Sequence, residues 1–95
     1  MKYIVFWEFD TDNMEKIIET NVAYLKEHEK NPGKYQKYIF PAHYMGNGKG
    51  FSVVEIEKQE QLVNTQIFFN NVMTLEHHPI TDAGAWIEAY MKSKA

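Results

Sequence analysis

Residues 35–57 read YQKYIFPAHYMGNGKGFSVVEIE, and this stretch predicts a β-hairpin. Two runs rich in aromatic and β-branched residues, 35–45 and 51–57, flank the loop GNGKG at 46–50. Such runs on either side of a glycine-rich turn are typical of paired antiparallel strands. Because the loop leads into a strand and lacks the spacing of a dinucleotide fingerprint, it offers no helix N-terminus to a phosphate, and a turn is the better interpretation.

Upstream of the hairpin, the sequence predicts one strand and one helix. Residues 2–10 form a mostly apolar run with partial alternation, which is typical of a buried strand. Asp12 and Glu15 resemble a capping pair at a helix N-terminus, and the NPG at 31–33 ends that helix. The apolar residues in between recur at helical spacing, namely Met14, Ile17, Ile18, Val22 and Leu25.

Downstream of the hairpin, the pattern predicts a helix, a strand and a second helix. The first helix begins at Gln59 and ends between residues 70 and 73, and a fourth strand covers 73–81. Asp82 is a suitable N-cap for the last helix. The apolar face of that helix consists of Ala83, Trp86, Ile87, Tyr90 and Met91.

The order of elements is therefore βαββαβ with an extra C-terminal helix. It predicts a single α+β domain over residues 1–95, a ferredoxin-like sandwich whose antiparallel sheet has the strand order 4-1-3-2. Two prolines test this order, because proline cannot donate a hydrogen bond to a neighbouring strand and is found mainly at sheet edges. Pro41 falls in the second strand and Pro79 in the fourth, which are the two edge strands of this topology.

Helices cover one face of such a sheet, so the other face would remain in water. The first and third strands place Ile4, Phe6 and either Val53 or Val54 on that second face. An exposed apolar face of this kind is an association site. We therefore expect a homodimer in which two sheets pack face to face.

Four segments of the chain carry a resemblance to known proteins. They are KYIVFWEF at 2–9, KYQKYIFPAHYMGNGKGFSVVE at 34–55, EQL at 60–62 and PI at 79–80. Together they resemble the dimeric α/β-barrel superfamily and, within it, a family of small archaeal proteins of uncharacterised function. The superfamily includes heme-degrading and quinone-forming monooxygenases, chlorite dismutase relatives and stress-response proteins. The resemblance implies a ligand cavity between sheet and helices or inside the barrel. The archaeal family tends to have apolar residues where this chain has its His pair at 77 and 78, which counts against a shared chemical role for the pair.

Composition excludes several classes of partner. The net charge is −3 and the ten basic residues are all lysines spread along the chain, so no basic surface for nucleic acid is expected. The absence of cysteine excludes disulfides and thiolate metal sites. No apolar run approaches the roughly 20 residues of a membrane span, and the N-terminus does not resemble a signal peptide. We therefore expect a cytoplasmic protein with neither nucleic-acid nor membrane partners.

The predicted topology brings the ends of strands one and two together with the starts of strands three and four. Adjacent strand residues point to opposite faces, so only one of His77 and His78 shares a face with Glu8. The sequence leaves open which one. The polar side chains collected at this end of the sheet are Glu8, His43, Tyr44, Ser52, Glu76, His77 and His78.

Three kinds of chemistry fit these residue types. Zinc or non-heme iron would use His and Glu, but one chain supplies only two or three ligands there and the dense metal spacings are absent. Heme would take its axial ligand from His28, His43, His77 or His78, with nothing to select among them. In a cofactor-free oxygenase or isomerase, Glu8 and a histidine would share a proton in an apolar cavity. The alternative is a simple polar pair at the sheet rim.

We therefore predict a small dimeric α/β-barrel protein that binds or converts a small apolar or aromatic molecule, without a metal or another cofactor. Whether it is an enzyme is left open, and no catalytic residue is assigned. Two alternatives remain, a non-catalytic dimeric association or regulatory module and a metal- or heme-dependent oxygenase-like barrel. Several aromatic residues either line the pocket or fill the core, namely Phe6, Trp7, Phe40, Tyr44 and Phe51. The predicted pocket residues are Glu8, His43, Tyr44, Glu76 and His78.

Overall fold

A computed structural model describes all 95 residues, Met1–Ala95. It contains four strands, three α-helices and two 3₁₀ turns, so the chain is an α+β protein, as predicted. None of the helices is both long enough and apolar enough to cross a bilayer. The strands are β1 (Lys2–Glu8), β2 (Lys37–Gly46), β3 (Lys49–Glu55) and β4 (Thr74–Pro79). The helices are α1 (Met14–Lys30), α2 (Gln59–Phe68) and α3 (Ala83–Lys94), and the 3₁₀ turns are Thr11–Asn13 and Pro32–Lys34.

The four strands form one antiparallel sheet in the order β2-β3-β1-β4. This is the predicted order, counted from the opposite edge. In the central strand β1, Val5 lies opposite Ser52 of β3 and His77 of β4. Pro41 and Pro79 lie in the two edge strands, where a residue without an N–H is tolerated best.

Some element ends differ from the predicted ones. β1 ends at Glu8, because the Asp10 side chain accepts a hydrogen bond from the Asp12 backbone N–H at 2.9 Å and starts a 3₁₀ turn. Asp12 is therefore not the N-cap of α1. Helix α2 ends at Phe68, before the predicted limit, and Asn71 with a φ of 67° redirects the chain toward β4.

The hairpin turn is shorter than predicted. β2 extends to Gly46 and β3 begins at Lys49, which leaves Asn47 and Gly48 as the two turn residues. Both have positive φ angles, 55° and 74°, as a type I′ turn requires. A Cβ at Gly48 would lie 2.2 Å from the carbonyl oxygen of Phe9, so no larger residue fits there without displacing the backbone.

A bulge in β2 changes the direction of its side chains. In the pairing with β3, Pro41 and Ala42 together occupy the place of a single residue between Phe40 and His43. The extra residue turns Phe40 and His43 to the same face of the sheet, although they are three positions apart. Their rings stack with centroids 4.4 Å apart and an interplanar angle of 12°.

The core lies between the helices and one face of the sheet. It is small, since only 12 of 95 residues are buried, and much apolar surface stays accessible. One buried cluster consists of Val5, Val54 and Ile56, and the other of Tyr24, Tyr35 and Phe69. The opposite face of the sheet, called the open face below, carries Ile4, Phe6, Phe40, Phe51 and Val53.

Helix α3 projects from the rest of the molecule. Asp82 caps it by accepting a hydrogen bond from the Ala85 backbone N–H at 3.1 Å, which confirms the predicted N-cap. Every residue from 81 to 95 is exposed, and the molecule extends 56 Å along its longest axis. Its radius of gyration of 15.7 Å exceeds the value of about 12 Å expected for a compact chain of this length. The apolar face of α3 therefore lies open to solvent.

Candidate functional site

A cavity of about 380 Å³ lies between α1 and the helix-covered face of the sheet. A volume of this size is typical of small-molecule sites. Thirteen of its sixteen lining residues are hydrophobic, the other three are Asn21, Gln36 and Ser52, and none is charged. Six lining residues are exposed and mark the mouth, namely Met14, Ile18, Asn21, Val22, Ala42 and Tyr44.

Three nearly parallel aromatic rings form one wall of this cavity. The centroid distances are 5.9 Å between Trp7 and Phe9, 6.1 Å between Trp7 and Tyr44, and 6.2 Å between Phe9 and Tyr44, with interplanar angles of 9° to 17°. A column of stacked rings would place the first and third rings about 7 Å apart or more. The three rings are therefore offset from one another instead of forming a single column, and together they present an aromatic wall on which a planar ligand can pack.

Trp7 is held in this wall by packing alone. Its indole lies directly on the backbone of Gly50, where an added Cβ would come within 1.9 Å of the ring carbon Cζ2. The indole Nε1 is buried and has no hydrogen-bond partner. Because an unsatisfied buried donor costs about 1–3 kcal/mol, a rearrangement that gave Nε1 an acceptor would recover part of this cost.

A chain of hydrogen bonds leads from the surface to two residues of the cavity lining. Gln66 Nε2 lies 3.3 Å from His77 Nδ1, and His77 Nε2 lies 2.8 Å from Gln36 Oε1. Gln36 Nε2 then donates to the Tyr38 hydroxyl at 3.1 Å, which donates to the Tyr24 hydroxyl at 3.0 Å. Since Nδ1 accepts from an amide and Nε2 faces a carbonyl oxygen, His77 is the neutral Nε2–H tautomer.

Burial keeps this network uncharged. Desolvation raises the pKa of Tyr24 far above its usual value, and the neighbouring Tyr38 adds to the rise. Desolvation also raises the pKa of Tyr38, against the lowering effect of its hydrogen bonds with Tyr24 and Gln36. It lowers the pKa of His77 below 6.5, and the adjacent His78 acts in the same direction. All three side chains of the network that titrate are therefore neutral at pH 7.

We expect the stability of the fold to decrease as the pH falls from 6.5 toward 5. Below pH 6.5, His77 becomes protonated in the unfolded chain before it does in the folded chain, so a falling pH favours unfolding. Above pH 6.5, His77 is neutral in both states and its contribution to the free energy of unfolding is fully present. Urea midpoints at several pH values measure the effect. His77→Gln should remove this part of the pH dependence, whereas His43→Gln, at an exposed position, should keep it. An unchanged slope in His77→Gln would contradict the assignment.

The structure places His78, and not His77, on the same face of the sheet as Glu8. Glu8 lies opposite Thr74, and His78 is four positions further along β4, so about 13 Å along the strand direction separates Glu8 from His78. Glu8 lies instead 4.0 Å from Lys49, and His78 lies 3.2 Å from Glu76. All four side chains are about half exposed or more. Glu8 and a histidine thus do not share a proton in this structure.

His43 and Tyr44 are adjacent in β2 and therefore lie on opposite faces of the sheet. His43 lies on the open face, with Nδ1 2.7 Å from the Pro41 carbonyl oxygen. The Tyr44 hydroxyl accepts a hydrogen bond from the Gly48 N–H at 2.9 Å, at the mouth of the cavity. Of the five predicted pocket residues, only Tyr44 lines the cavity. The other four, Glu8, His43, Glu76 and His78, are exposed and lie on the open face.

The sequence does not single out Gln36, which is central to the polar network. The signal available in the sequence is an amide side chain within an aromatic run. In the structure Gln36 is buried, with only 2% of its surface exposed. His28 also contacts this residue, since its Nε2 lies 2.7 Å from the Gln36 carbonyl oxygen. This hydrogen bond gives His28 a structural role in the core.

Two observations bear on the metal and heme alternatives. No three His, Asp or Glu side chains lie close enough together to hold a metal ion. The cavity lining contains no histidine, so it offers no imidazole as an axial ligand to a heme. The metal- or heme-dependent alternative therefore finds no support in the geometry.

A family model described as a domain of unknown function (DUF3303) matches residues 1–94. The chain belongs to the DUF3303 family. No curated protein and no solved structure matches it. The match spans every element of this DUF3303 domain from β1 to α3. The projecting helix is therefore part of the family's own domain and not an appended tail.

Proposed function

We propose that this DUF3303 domain binds a small, neutral, planar molecule in the cavity between α1 and the sheet, without a cofactor. The observation that carries the proposal is a cavity of about 380 Å³ with a wall of three nearly parallel aromatic rings and no charged lining residue. A charged ligand would lose its hydration there without gaining a counter-charge, which is costly. A flat apolar ligand would stack on the aromatic wall, and Gln36 and Ser52 would supply polar contacts.

The cavity supports binding and not conversion of this ligand. Its lining contains no Asp, Glu, Lys or His side chain, and the Tyr38 hydroxyl is engaged with Tyr24. A general base must lie within hydrogen-bond reach of the proton it removes. Glu8 and His78, the candidates for that role in the sequence, lie on the other face of the sheet.

Fluorescence of Trp7 tests the proposed ligand site directly. The chain has two tryptophans, so the Trp86→Phe variant leaves Trp7 as the single reporter. We expect naphthalene-1-carboxamide to quench this fluorescence to saturation. Naphthalene-1-carboxylate, which has the same size and a negative charge, should bind at least about tenfold more weakly, a difference of about 1.4 kcal/mol.

A cavity-filling variant is the control for this measurement. Ala42 lines the cavity from an exposed position in an edge strand, so Ala42→Phe should occupy the space while the fold persists. Quenching should then be lost at an unchanged circular dichroism spectrum. Equal affinities for the amide and the carboxylate, or quenching that survives in Ala42→Phe, would contradict a neutral ligand in this cavity.

We further propose that the domain is a ferredoxin-like α/β barrel formed by two copies whose open faces pack together. The βαββαβ order and the strand order β2-β3-β1-β4 support the ferredoxin-like assignment. Phe6 and Phe40, which are 40% and 42% exposed on the open face, support the association. A dimeric association module is thus the second candidate function, and it uses the face of the sheet opposite the cavity.

A further inference from the structure

Helix α3 carries an apolar stripe that its own chain leaves uncovered. Trp86, Ile87, Tyr90 and Met91 lie on one side of the helix and are 49% to 63% exposed. The opposite side is polar, and there Glu88 and Lys92 form an ion pair at 3.2 Å. A contiguous exposed apolar stripe with a polar reverse side marks a contact surface.

We propose that α3 is an arm that packs on strand β2 of a second copy of this chain. The proposal rests on the dimer of open faces proposed above and assigns α3 its place in it. Each copy extends its arm to the other, so the contact is made twice around the two-fold axis.

The area that a stable dimer needs favours a contribution from α3. A stable interface buries about 800 Å² per partner. With four strands and seven residues in β1, the open face measures about 19 by 23 Å, or about 440 Å². The twelve residues of α3 add a strip about 18 Å long and 10 Å wide. The sheet alone falls short. Because the contact is made twice, each partner buries its own α3 strip and an equal strip beneath the α3 of the other copy, which together bring the total to about 800 Å².

Symmetry and charge place this arm beside β2 of the partner. Two sheets packed face to face keep their strands within about 30° of each other, with a two-fold axis between them. If the two-fold axis ran perpendicular to the strands, β4 of one copy would lie over β4 of the other, and Glu76 would face Glu76. An axis along the strands sets β4 over β2 instead, and Glu76 then faces the strand that carries His43. Avoidance of like charges favours the second arrangement.

Strand β2 offers a suitable surface to the arm. Ile39, Phe40 and Met45 of β2 are 50%, 42% and 55% exposed. Only residues 80–82 separate the end of β4 from the start of α3, so an arm that leaves β4 emerges next to β2 of the partner in this arrangement. The ten residues of β2 span about 33 Å, which exceeds the length of the helix.

Cross-linking between two chains tests the contact, and the absence of native cysteine makes each introduced thiol unique. A chain with Tyr90→Cys and a differently tagged chain with Ile39→Cys are mixed and treated with a short bismaleimide. We expect a cross-linked product that carries both tags. The control pairs Tyr90→Cys with Val63→Cys, an exposed position on α2 at the helix-covered side of the sheet, and should give no such product.

Dimer affinity separates the arm from the sheet contact. The double variant Trp86→Glu, Tyr90→Glu should raise the dissociation constant of the dimer at least tenfold in sedimentation equilibrium, and Glu88→Gln on the polar side should not. Phe6→Glu tests the open face independently. A dimer weakened by Phe6→Glu but not by the α3 variant, with no cross-link, overturns the arm and leaves the sheet contact standing. A parent protein that is monomeric at all concentrations overturns both.

Discussion

Replacement of Tyr24 by alanine is expected to lower the free energy of unfolding by about 3–5 kcal/mol. Tyr24 is 1% exposed, and its ring packs between α1, α2 and the start of β2. Its centroid lies 4.7 Å from that of Phe69, 5.3 Å from that of Phe68 and 5.4 Å from that of Tyr35. Removing the ring leaves a cavity in the centre of one of only two core clusters, so the loss is a large fraction of the stability of a small domain.

Tyr24→Phe is the matched control, because it keeps the ring and removes only the hydroxyl. Tyr38 then loses the acceptor that lies 3.0 Å away, at a cost of about 1–2 kcal/mol. Urea denaturation followed by far-UV circular dichroism measures both variants. Equal losses for the alanine and phenylalanine variants would show that the hydrogen bond, and not the packing of the ring, dominates at this position.

Gly50→Ala is expected to abolish ligand binding in the cavity while the protein stays folded. The new methyl group would occupy the space of the Trp7 ring, so the indole has to move, and the adjoining cavity is the free space available to it. The displaced ring fills the site and breaks the aromatic wall. Overpacking of this kind costs about 1–3 kcal/mol of stability, which the fold can tolerate.

Gly33→Ala provides the comparison, since an added Cβ at Gly33 has no neighbour within 4 Å. Its stability and its affinity for naphthalene-1-carboxamide should equal those of the parent. Trp7 fluorescence in the Trp86→Phe background reports the position of the indole in each variant. If Gly50→Ala retained both the emission spectrum and the affinity of the parent, the close packing of Trp7 on Gly50 would not control the site.

The strand order could be predicted from the sequence because two residues mark the sheet edges. Pro41 and Pro79 are excluded from central strands for lack of a backbone N–H, and both lie at edges in the structure. The cap at Asp82 and the apolar stripe of α3 were also recognisable, since each depends on residues within a few positions of one another.

The faces of the candidate site residues could not be predicted, because strand alternation specifies only relative direction. Which of His77 and His78 faces the helices depends on the register that pairs His77 with Val5, and distant packing sets this register. In β2, register shifts against β3 on either side of Phe40 place Tyr38 and Tyr44 on the cavity side but Phe40 and His43 on the open face. Uninterrupted alternation would put Phe40 on the same face as Tyr38 and Tyr44.

The cavity itself left no signal in the sequence, for a related reason. Its lining consists of residues such as Val5, Ile17 and Leu75, which fill a closed core equally well. Whether such side chains meet or leave space between them depends on the distance between α1 and the sheet. That distance is a property of the whole packing and not of any short segment.

The two edge prolines also restrict strand addition at the edges of this sheet. Growth of a fibril requires an edge with an unbroken row of backbone donors and acceptors onto which the next strand can be added. Pro41 with its bulge interrupts one edge of this sheet, and Pro79 interrupts the other. The exposed apolar surface of this protein therefore lies on the open face of the sheet and on α3, where two-fold pairing would stop at two copies. The sheet edges, where strand addition could repeat without limit, are blocked by proline.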